Sequence, residues 1–248
     1  MKATLFEYTG KGSVDPARAA ANALVFTKST RLQMTPDLYA KVEQMSQEDI
    51  DKELEYMANT IPSSWEFCHY SFIITGVSRG FTHQFVRTRT GAYAQQTMRI
   101  LDMGDGFDFI TGPTVDDAGP RRMIYDEAME DINVAYRALI ESGAAIEDAR
   151  GVLPTNISTN ICADFTLRTL SELFRKRASS RTQGEYREVI DAMKAAVIEV
   201  HPWTQLFFDR SFETAANDLE SRIINSFALT KEQKTDMIKL IDQMRTMA

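Results

Sequence analysis

Residues 76–101 read GVSRGFTHQFVRTRTGAYAQQTMRIL and carry Arg79, Arg87, Arg89 and Arg99 without a single acidic residue. Arginine is the side chain suited to forked recognition of phosphate and of planar groups. Gln84, Gln95, Gln96 and Thr97 lie in the same stretch and supply uncharged donors and acceptors that can read the edge of a heterocycle. A solvated helix face usually alternates in sign, and this stretch does not. A second basic group comprises Arg150, Arg168, Arg175, Lys176, Arg177 and Arg181. Arg168 and Glu172 are spaced as an i,i+4 pair, which reads as structural. Arg177 and Arg181 share a helix face only if the helix continues through Ala178-Ser179-Ser180.

The chain as a whole is acidic. Its 28 basic residues, 18 of them Arg, face 35 acidic ones, for a formal charge of -7. Two arginine clusters in such a chain predict a focused anion site in place of a diffuse basic surface. Nucleic acid and anionic membrane are poor partners for it, and a phosphorylated small molecule is the natural ligand class. The two cysteines, Cys68 and Cys162, have no CxxC or Cys/His spacing, which fits a reducing compartment and offers no metal site. Both read as small core residues, not as nucleophiles. His69 and His201 read as structural, and His83, beside Gln84, reads as structural before catalytic. Met1-Lys2-Ala3-Thr4-Leu5 lacks an apolar leader pattern, so a cytoplasmic protein that crosses no membrane is expected.

These side chains need elements to hold them. At 248 residues with 44% hydrophobic content, the chain can build one real core. Ala3 to Tyr8 predicts a strand, and Asp15-Pro16 opens a helix through Leu24. Thr35-Pro36-Asp37 opens a loosely periodic helical stretch to residue 59, and Trp65 to Thr75 predicts a strand ended by Gly76. Val77 to Val86 predicts a helix feeding the arginine-rich stretch 87–99, and 102–119 a long loop with a short FDFI strand. The second half predicts helices over 120–143, from a cap at Asp164 through Phe174, over 186–200, and from a Thr230/Gln233 capping box. Most of the twelve methionines fall in helical stripes and are expected in the core. No internal repeat or linker interrupts the chain. The expected fold is a single α+β domain, residues 1–248, with a small sheet packed by helices and a largely helical C-terminal half.

At the first cluster the sequence resembles a known family. GVSRGFTHQFVRTRTGAYAQQTMR is similar to the signature region of the flavin-dependent thymidylate synthases, marked by Arg-His-Arg, seven residues, then Ser. Arg87-Thr88-Arg89, residues 90–96 and Thr97 reproduce that spacing. Ser63-Ser64-Trp65-Glu66 resembles the family's Ser/Thr-Pro-Phe-Glu segment, and Ala149-Arg150-Gly151-Val152-Leu153-Pro154 its Ala-Arg-x-x-Leu-Pro segment. Residues 165–185 resemble its helix ending in Arg-x-x-x-x-Ala-Gln-Trp-Glu. The chain departs from the family at Thr88, Ala92, Ala94, Thr97, Ile100, Thr166 and Glu172.

The resemblance implies the family's fold and the reductive methylation of dUMP at C5 to dTMP. Methylenetetrahydrofolate would give the carbon, NADPH the reducing equivalents, and FAD would mediate the hydride. By position, Ser63, Glu66, Arg87, Thr88, Arg89, Gln95, Thr166, Arg168 and Glu172 would contact FAD. Gln84, Arg87, Gln95, Gln96, Thr97 and Arg99 would hold the nucleotide, Arg150 its phosphate, and Arg177, the catalytic residue, the pyrimidine ring. The family also implies a homotetramer with shared active sites, Arg87 and Arg168 coming from different chains. Two alternatives stay open: C5 alkylation or hydroxymethylation of another pyrimidine nucleotide, and a flavin-free nucleotide-binding protein without turnover.

Overall fold

The computed structural model describes residues 1–99, 106–116, 119–177, 184–208, 211–226 and 228–247. In chain order its first half has β1 (Lys2–Tyr8), α1 (Pro16–Ser29), α2 (Leu38–Glu43), α3 (Gln47–Thr60), β2 (His69–Ser78), α4 (Arg79–Phe85) and β3 (Ala92–Gln95). Then come α5 (Pro113–Asp116), α6 (Pro120–Glu141), α7 (Ile146–Ala149), β4 (Ser158–Thr166) and α8 (Leu167–Arg177). The chain closes with α9 (Gly184–Val200), α10 (Gln205–Phe208), α11 (Ser211–Asn225) and α12 (Lys231–Met247). This is the α+β class expected. The chain forms two compact units, Met1–Tyr8 with Tyr70–Phe165 and Gln183–Ala196, and Thr9–His69 with Thr166–Thr182 and Val197–Ala248. Among the described residues no helix is long and apolar enough to cross a membrane.

The first unit is built on a sheet of order β1-β2-β4-β3. β1 pairs antiparallel with β2 from Lys2↔Thr75 to Tyr8↔Tyr70, with a bulge between Leu5 and Glu7. β3 pairs antiparallel with β4 from Ala92↔Asp164 to Gln95↔Ile161. One face is apolar: Tyr70, Phe72 and Ile74 of β2 and Ile161, Ala163 and Phe165 of β4 are buried. α4 adds Phe81 and Phe85, and α9 adds Tyr186. The Phe85 ring meets Phe165 at 5.5 Å and Tyr93 at 5.6 Å, edge to face. On the other face Ser71 donates to Asp164 at 2.6 Å.

In the second unit α1 starts where Asp15 caps it, accepting from the Arg18 N–H at 2.9 Å, with Pro16 at the first position. Trp65 is the buried centre; its indole N–H donates to the Met57 carbonyl at 3.0 Å and its ring meets Phe207 at 4.9 Å. Thr230 and Gln233 form the expected capping box before α12, with bonds of 2.9 and 3.3 Å. α11 and α12 bury Ala216, Ile223, Ile238 and Ile241 in a small cluster.

Five expectations change. The helical stretch from Pro36 breaks in two, because Ser46 accepts from the Asp49 N–H at 3.1 Å and starts a new helix. The strand expected from Trp65 starts only at His69: Pro62–Phe67 is a 3-10 turn, and the strand runs past Gly76 to Ser78. β3 and β4 emerge where no strand was expected, and Asp164 lies inside β4 instead of capping a helix. Thr166 caps α8, its hydroxyl accepting from the Thr169 N–H at 3.1 Å. The FDFI strand reduces to an isolated bridge between Phe109 and Ile157. Methionines divide. Met57, Met129 and Met193 are buried, whereas Met34 is 78% and Met123 72% exposed.

Candidate functional site

The arginine-rich stretch is held from both ends of α4. At its start Ser78 accepts from the Phe81 N–H at 2.9 Å, and its own N–H and hydroxyl donate to the two Glu185 oxygens at 2.6 and 2.7 Å. Arg79 and Gly80 donate their N–H groups to the Ile157 and Thr155 carbonyls at 3.0 and 2.7 Å. At its end the Tyr93 hydroxyl donates to the Thr88 carbonyl at 2.7 Å. Burial pushes the Tyr93 phenol up to about 12, so it keeps its proton to donate. The turn bearing Arg87, Thr88 and Arg89 is therefore fixed to the sheet. Arg87 and Arg89 are exposed, and among the described residues neither pairs with a carboxylate. Gln84 is half-buried on α4.

Gly91 lets that turn approach the core. A Cβ there would lie 2.4 and 2.8 Å from atoms of the buried Phe165 ring and 2.8 Å from the Tyr93 hydroxyl. Gly91→Ala is expected to destabilise the protein by about 1–3 kcal/mol, the usual cost of overpacking. Denaturant unfolding checks this, and a variant as stable as its parent would show that the ring gives way at no cost.

Beyond the turn the structure assembles a guanidinium cluster. Arg79 donates to the Gln96 carbonyl at 3.3 Å. Its own basicity is lowered, first by burial and then by the Arg150 charge facing it. Arg150 Nε donates to the Glu147 carbonyl at 3.1 Å, and Arg99 Nε to the Glu147 carboxylate at 2.9 Å. The Thr97 hydroxyl accepts from the Arg99 N–H at 3.0 Å, shaping the turn into Arg99. Glu147 is the one carboxylate recorded on these three arginines among the described residues. Such an excess of positive charge suits a phosphate. Arg79 belongs to the cluster by sequence, but its neighbourhood with Arg150, 71 positions away, has no sequence signal.

Gln95 and Gln96 separate. Gln95 donates to the Thr82 hydroxyl at 2.7 Å on the helix-covered side of the sheet. Gln96, one residue on, turns to the other side and accepts from Asn160 Nδ2 at 2.6 Å. A cleft of about 420 Å³ also opens in this unit, lined by Ser78, Tyr125, Asn156, Glu185 and Glu188 among others. Its carboxylates make it a poor anion site, so the arginines outweigh it.

The second unit holds the remaining residues. Ser63 and Glu66 lie on the 3-10 turn before β2, and Thr166, Arg168 and Glu172 on or just before α8. Arg31 donates to the Ser63 hydroxyl at 2.6 Å. Arg168 donates to Glu66 at 2.7 Å and to Glu172 at 3.4 Å, the second being the expected i,i+4 pair. Arg177 is the half-buried last residue of α8, where with Arg175 and Lys176 it also complements the helix dipole. Arg181 and Ile100 lie outside the described residues. Cys68 is fully buried and burial pushes its thiol well above the usual range. Cys162 is half-buried in β4. His83 and His69 are exposed and His201 is fully buried.

The helices and the small sheet make this an α+β protein, and Arg79, Arg99 and Arg150, with one carboxylate paired to Arg99, give it a site suited to a phosphate-bearing anion. Comparison with known proteins gives the family. Residues 4–203 match the family described as thymidylate synthase complementing protein. A flavin-dependent thymidylate synthase from Clostridium tetani is 33% identical over 221 residues, covering 82% of this chain and 84% of the relative. One from Geobacter sulfurreducens is 35% identical over 162 residues, covering 64% of this chain and 70% of the relative. One from Sulfolobus acidocaldarius is 37% identical over 134 residues, covering 54% of this chain and 51% of the relative. The chain belongs to the thymidylate synthase complementing protein family, and it is an enzyme.

Proposed function

We propose that this enzyme converts dUMP to dTMP by reductive methylation at C5, with methylenetetrahydrofolate as carbon donor, NADPH as reductant and FAD as cofactor, in the cytoplasm. The names of its relatives support the reaction and the flavin. The observation that carries the nucleotide side is the excess of positive charge at Arg79, Arg150 and Arg99: Arg150 faces Arg79 and donates to the Glu147 carbonyl, and Arg99 alone pairs with the Glu147 carboxylate. A nucleoside monophosphate brings about two negative charges, which such a cluster compensates.

The residues fit a flavin dinucleotide. Arg87 and Arg89 are exposed on a fixed turn and uncompensated by acids among the described residues, which suits a diphosphate. Arg168, already between Glu66 and Glu172, would hold the cofactor by directed hydrogen bonds more than by net charge. Ser63, Thr88, Gln95 and Thr166 complete that set. Held by these residues, the flavin would supply hydride chemistry between NADPH and the one-carbon unit. Gln84, Gln95, Gln96, Thr97 and Arg99, with Arg87, orient the nucleotide, and Arg150 forks its phosphate. Arg177 lies against the pyrimidine and stabilises charge as the N3 region becomes electron-rich. We also propose one functional domain acting as a homotetramer that shares its active sites, with Arg87 and Arg168 from different chains. Light scattering checks the assembly: four times the 28.1 kDa chain is expected, and a fully active monomer would contradict it.

The Glu172 carboxylate on Arg168 favours one competing reading, a protein that binds nucleotide without flavin. The absorbance of protein incubated with FAD, followed by NADPH bleaching with and without dUMP, separates the two. A flavin spectrum bleached by NADPH is expected, with weaker FAD retention than a relative with His at the Thr88 position shows. Protein that stays colourless in excess FAD would leave only the competing reading. Arg150→Ala should cost dUMP affinity about 1.5–3 kcal/mol at unchanged flavin content. Calorimetry reads this, and an unaltered affinity would remove Arg150 from the phosphate site.

A further inference from the structure

Gln96 sits in a hydrogen-bond relay whose direction is fixed by its first member. Gly76 lies just past the last β1 pair, Lys2↔Thr75, with φ at 66°. Its N–H donates to Asn160 Oδ1 at 3.1 Å. A backbone N–H can only donate, so the Asn160 oxygen must face it and the Asn160 amino group must face away. That amino group donates to Gln96 Oε1 at 2.6 Å. Gln96 therefore spends its oxygen on Asn160 and keeps its amino group for whatever docks beside it. The Gln96 backbone is fixed as well, its N–H donating to the Asn160 carbonyl at 3.0 Å and its own carbonyl accepting from Arg79 at 3.3 Å. Gln95 has the opposite polarity. Thr82 donates its hydroxyl to the Arg79 carbonyl at 3.0 Å, so it can only accept from Gln95 Nε2, and Gln95 retains its oxygen.

We propose that Asn160 is a positioning residue that presents Gln96 as a hydrogen-bond donor to an oxygen of the nucleotide. The inference rests on the reading of Gln96 as a nucleotide-binding residue. The oxygen is a pyrimidine carbonyl or a phosphate oxygen; an exocyclic amino group in its place would meet donor against donor and be rejected. Asn160 gives the site this selectivity through the relay, without touching the ligand.

The relay is tested by dUMP titration calorimetry on the flavin-loaded, full-length enzyme. Asn160→Asp still accepts from Gly76 but cannot donate to Gln96, whose amide then rotates and shows the ligand its oxygen. At least fivefold weaker dUMP binding is expected, with KM for dUMP raised and flavin content and melting temperature held. The loss should vanish in a Gln96→Ala background, where there is no amide left to orient. This comparison also removes the simple repulsion of an added carboxylate, which would weaken dUMP in both backgrounds. Asn160→Ala, run through the same cycle, keeps the test alive if the Asp variant folds poorly. Deoxyuridine identifies the oxygen: a loss that persists assigns a base carbonyl, and a loss that disappears assigns the phosphate. dUMP binding within twofold of the parent in Asn160→Asp, or a loss undiminished by Gln96→Ala, overturns the relay. If Arg150→Ala still weakens dUMP in that case, the relay alone has failed. If Arg150→Ala and Gln96→Ala both leave dUMP affinity untouched, the nucleotide-site reading has failed with it.

Discussion

Arg177→Ala is expected to lose at least about a hundredfold in turnover, while the Cys68→Ser, Cys162→Ser double variant keeps most of its activity per flavin-loaded enzyme. The contrast follows from where charge is managed. An enzyme that attacked the pyrimidine with sulfur would need an exposed thiolate near a cation. Cys68 is the reverse, fully buried, its thiol pushed up by burial and its Sγ 3.7 Å from the Ala20 carbonyl. Cys162 sits in β4 opposite Ala94, on a strand. Arg177, under the proposed function, offers a donor where negative charge develops on the ring, and losing one such donor typically costs about 2.7–4 kcal/mol. Rates must be normalised to bound flavin, because Cys68 is packed in a core and its change lowers yield. A dead double variant with normal flavin content, beside an active Arg177→Ala, would overturn the cysteine-free mechanism.

Local side-chain chemistry was the legible part of the fold. Asp15-Pro16 and the Thr230/Gln233 box announce helix starts because their hydrogen bonds close within three residues. Where the decisive bond is long-range, the local signal misleads. Asp164 stands before a leucine-rich stretch and reads as a cap, yet its carboxylate accepts from Ser71 across the sheet. The capping falls to Thr166, two residues later. β4 buries Thr159, Ile161, Ala163 and Phe165 in alternation, but Asn160, Cys162 and Asp164 between them dilute the β signal. β3, only AYAQ, is too short to declare a period inside an arginine run.

The site divides along the same line. Uncompensated arginines were visible as composition, since segment 76–101 contains no acid at all. Their mutual arrangement was not. Arg99 finds Glu147 across 48 residues of sequence, and Arg79 faces Arg150 only because the first residues of α4 bond to the chain around Thr155 and Ile157. Gln95 and Gln96, adjacent in sequence and expected together on one nucleotide, lie on opposite faces once β3 is known to be a strand. In an enzyme whose sites are shared between chains, as proposed, one copy's two faces can serve two different sites.

Acidification is expected to destabilise this protein through His201. The imidazole is fully buried, stacked on Trp203 at 5.5 Å, and its backbone N–H donates to the Val197 carbonyl at 2.8 Å. Burial drives its pKa down to about 4, against a smaller upward pull from the Pro16 and Thr9 carbonyls and the Asp15 charge. The folded chain therefore binds a proton more weakly at this site than the unfolded chain, whose histidine titrates near 6.5. Above about pH 6.5 both states are neutral here and the group has no effect on stability. As pH falls from there, the unfolded state gains a proton that the fold refuses, and stability drops. The loss continues to about pH 4, below which both states are protonated, and reaches about 3 kcal/mol. Carboxylates titrate in the lower part of this window too, so the informative quantity is the difference between the parent and His201→Gln. Denaturant unfolding at a series of pH values should show the parent losing stability from pH 6.5 downward more steeply than the variant, whatever the variant's stability at neutral pH. Parallel profiles would mean that His201 accepts its proton inside the fold, and the burial argument would fall.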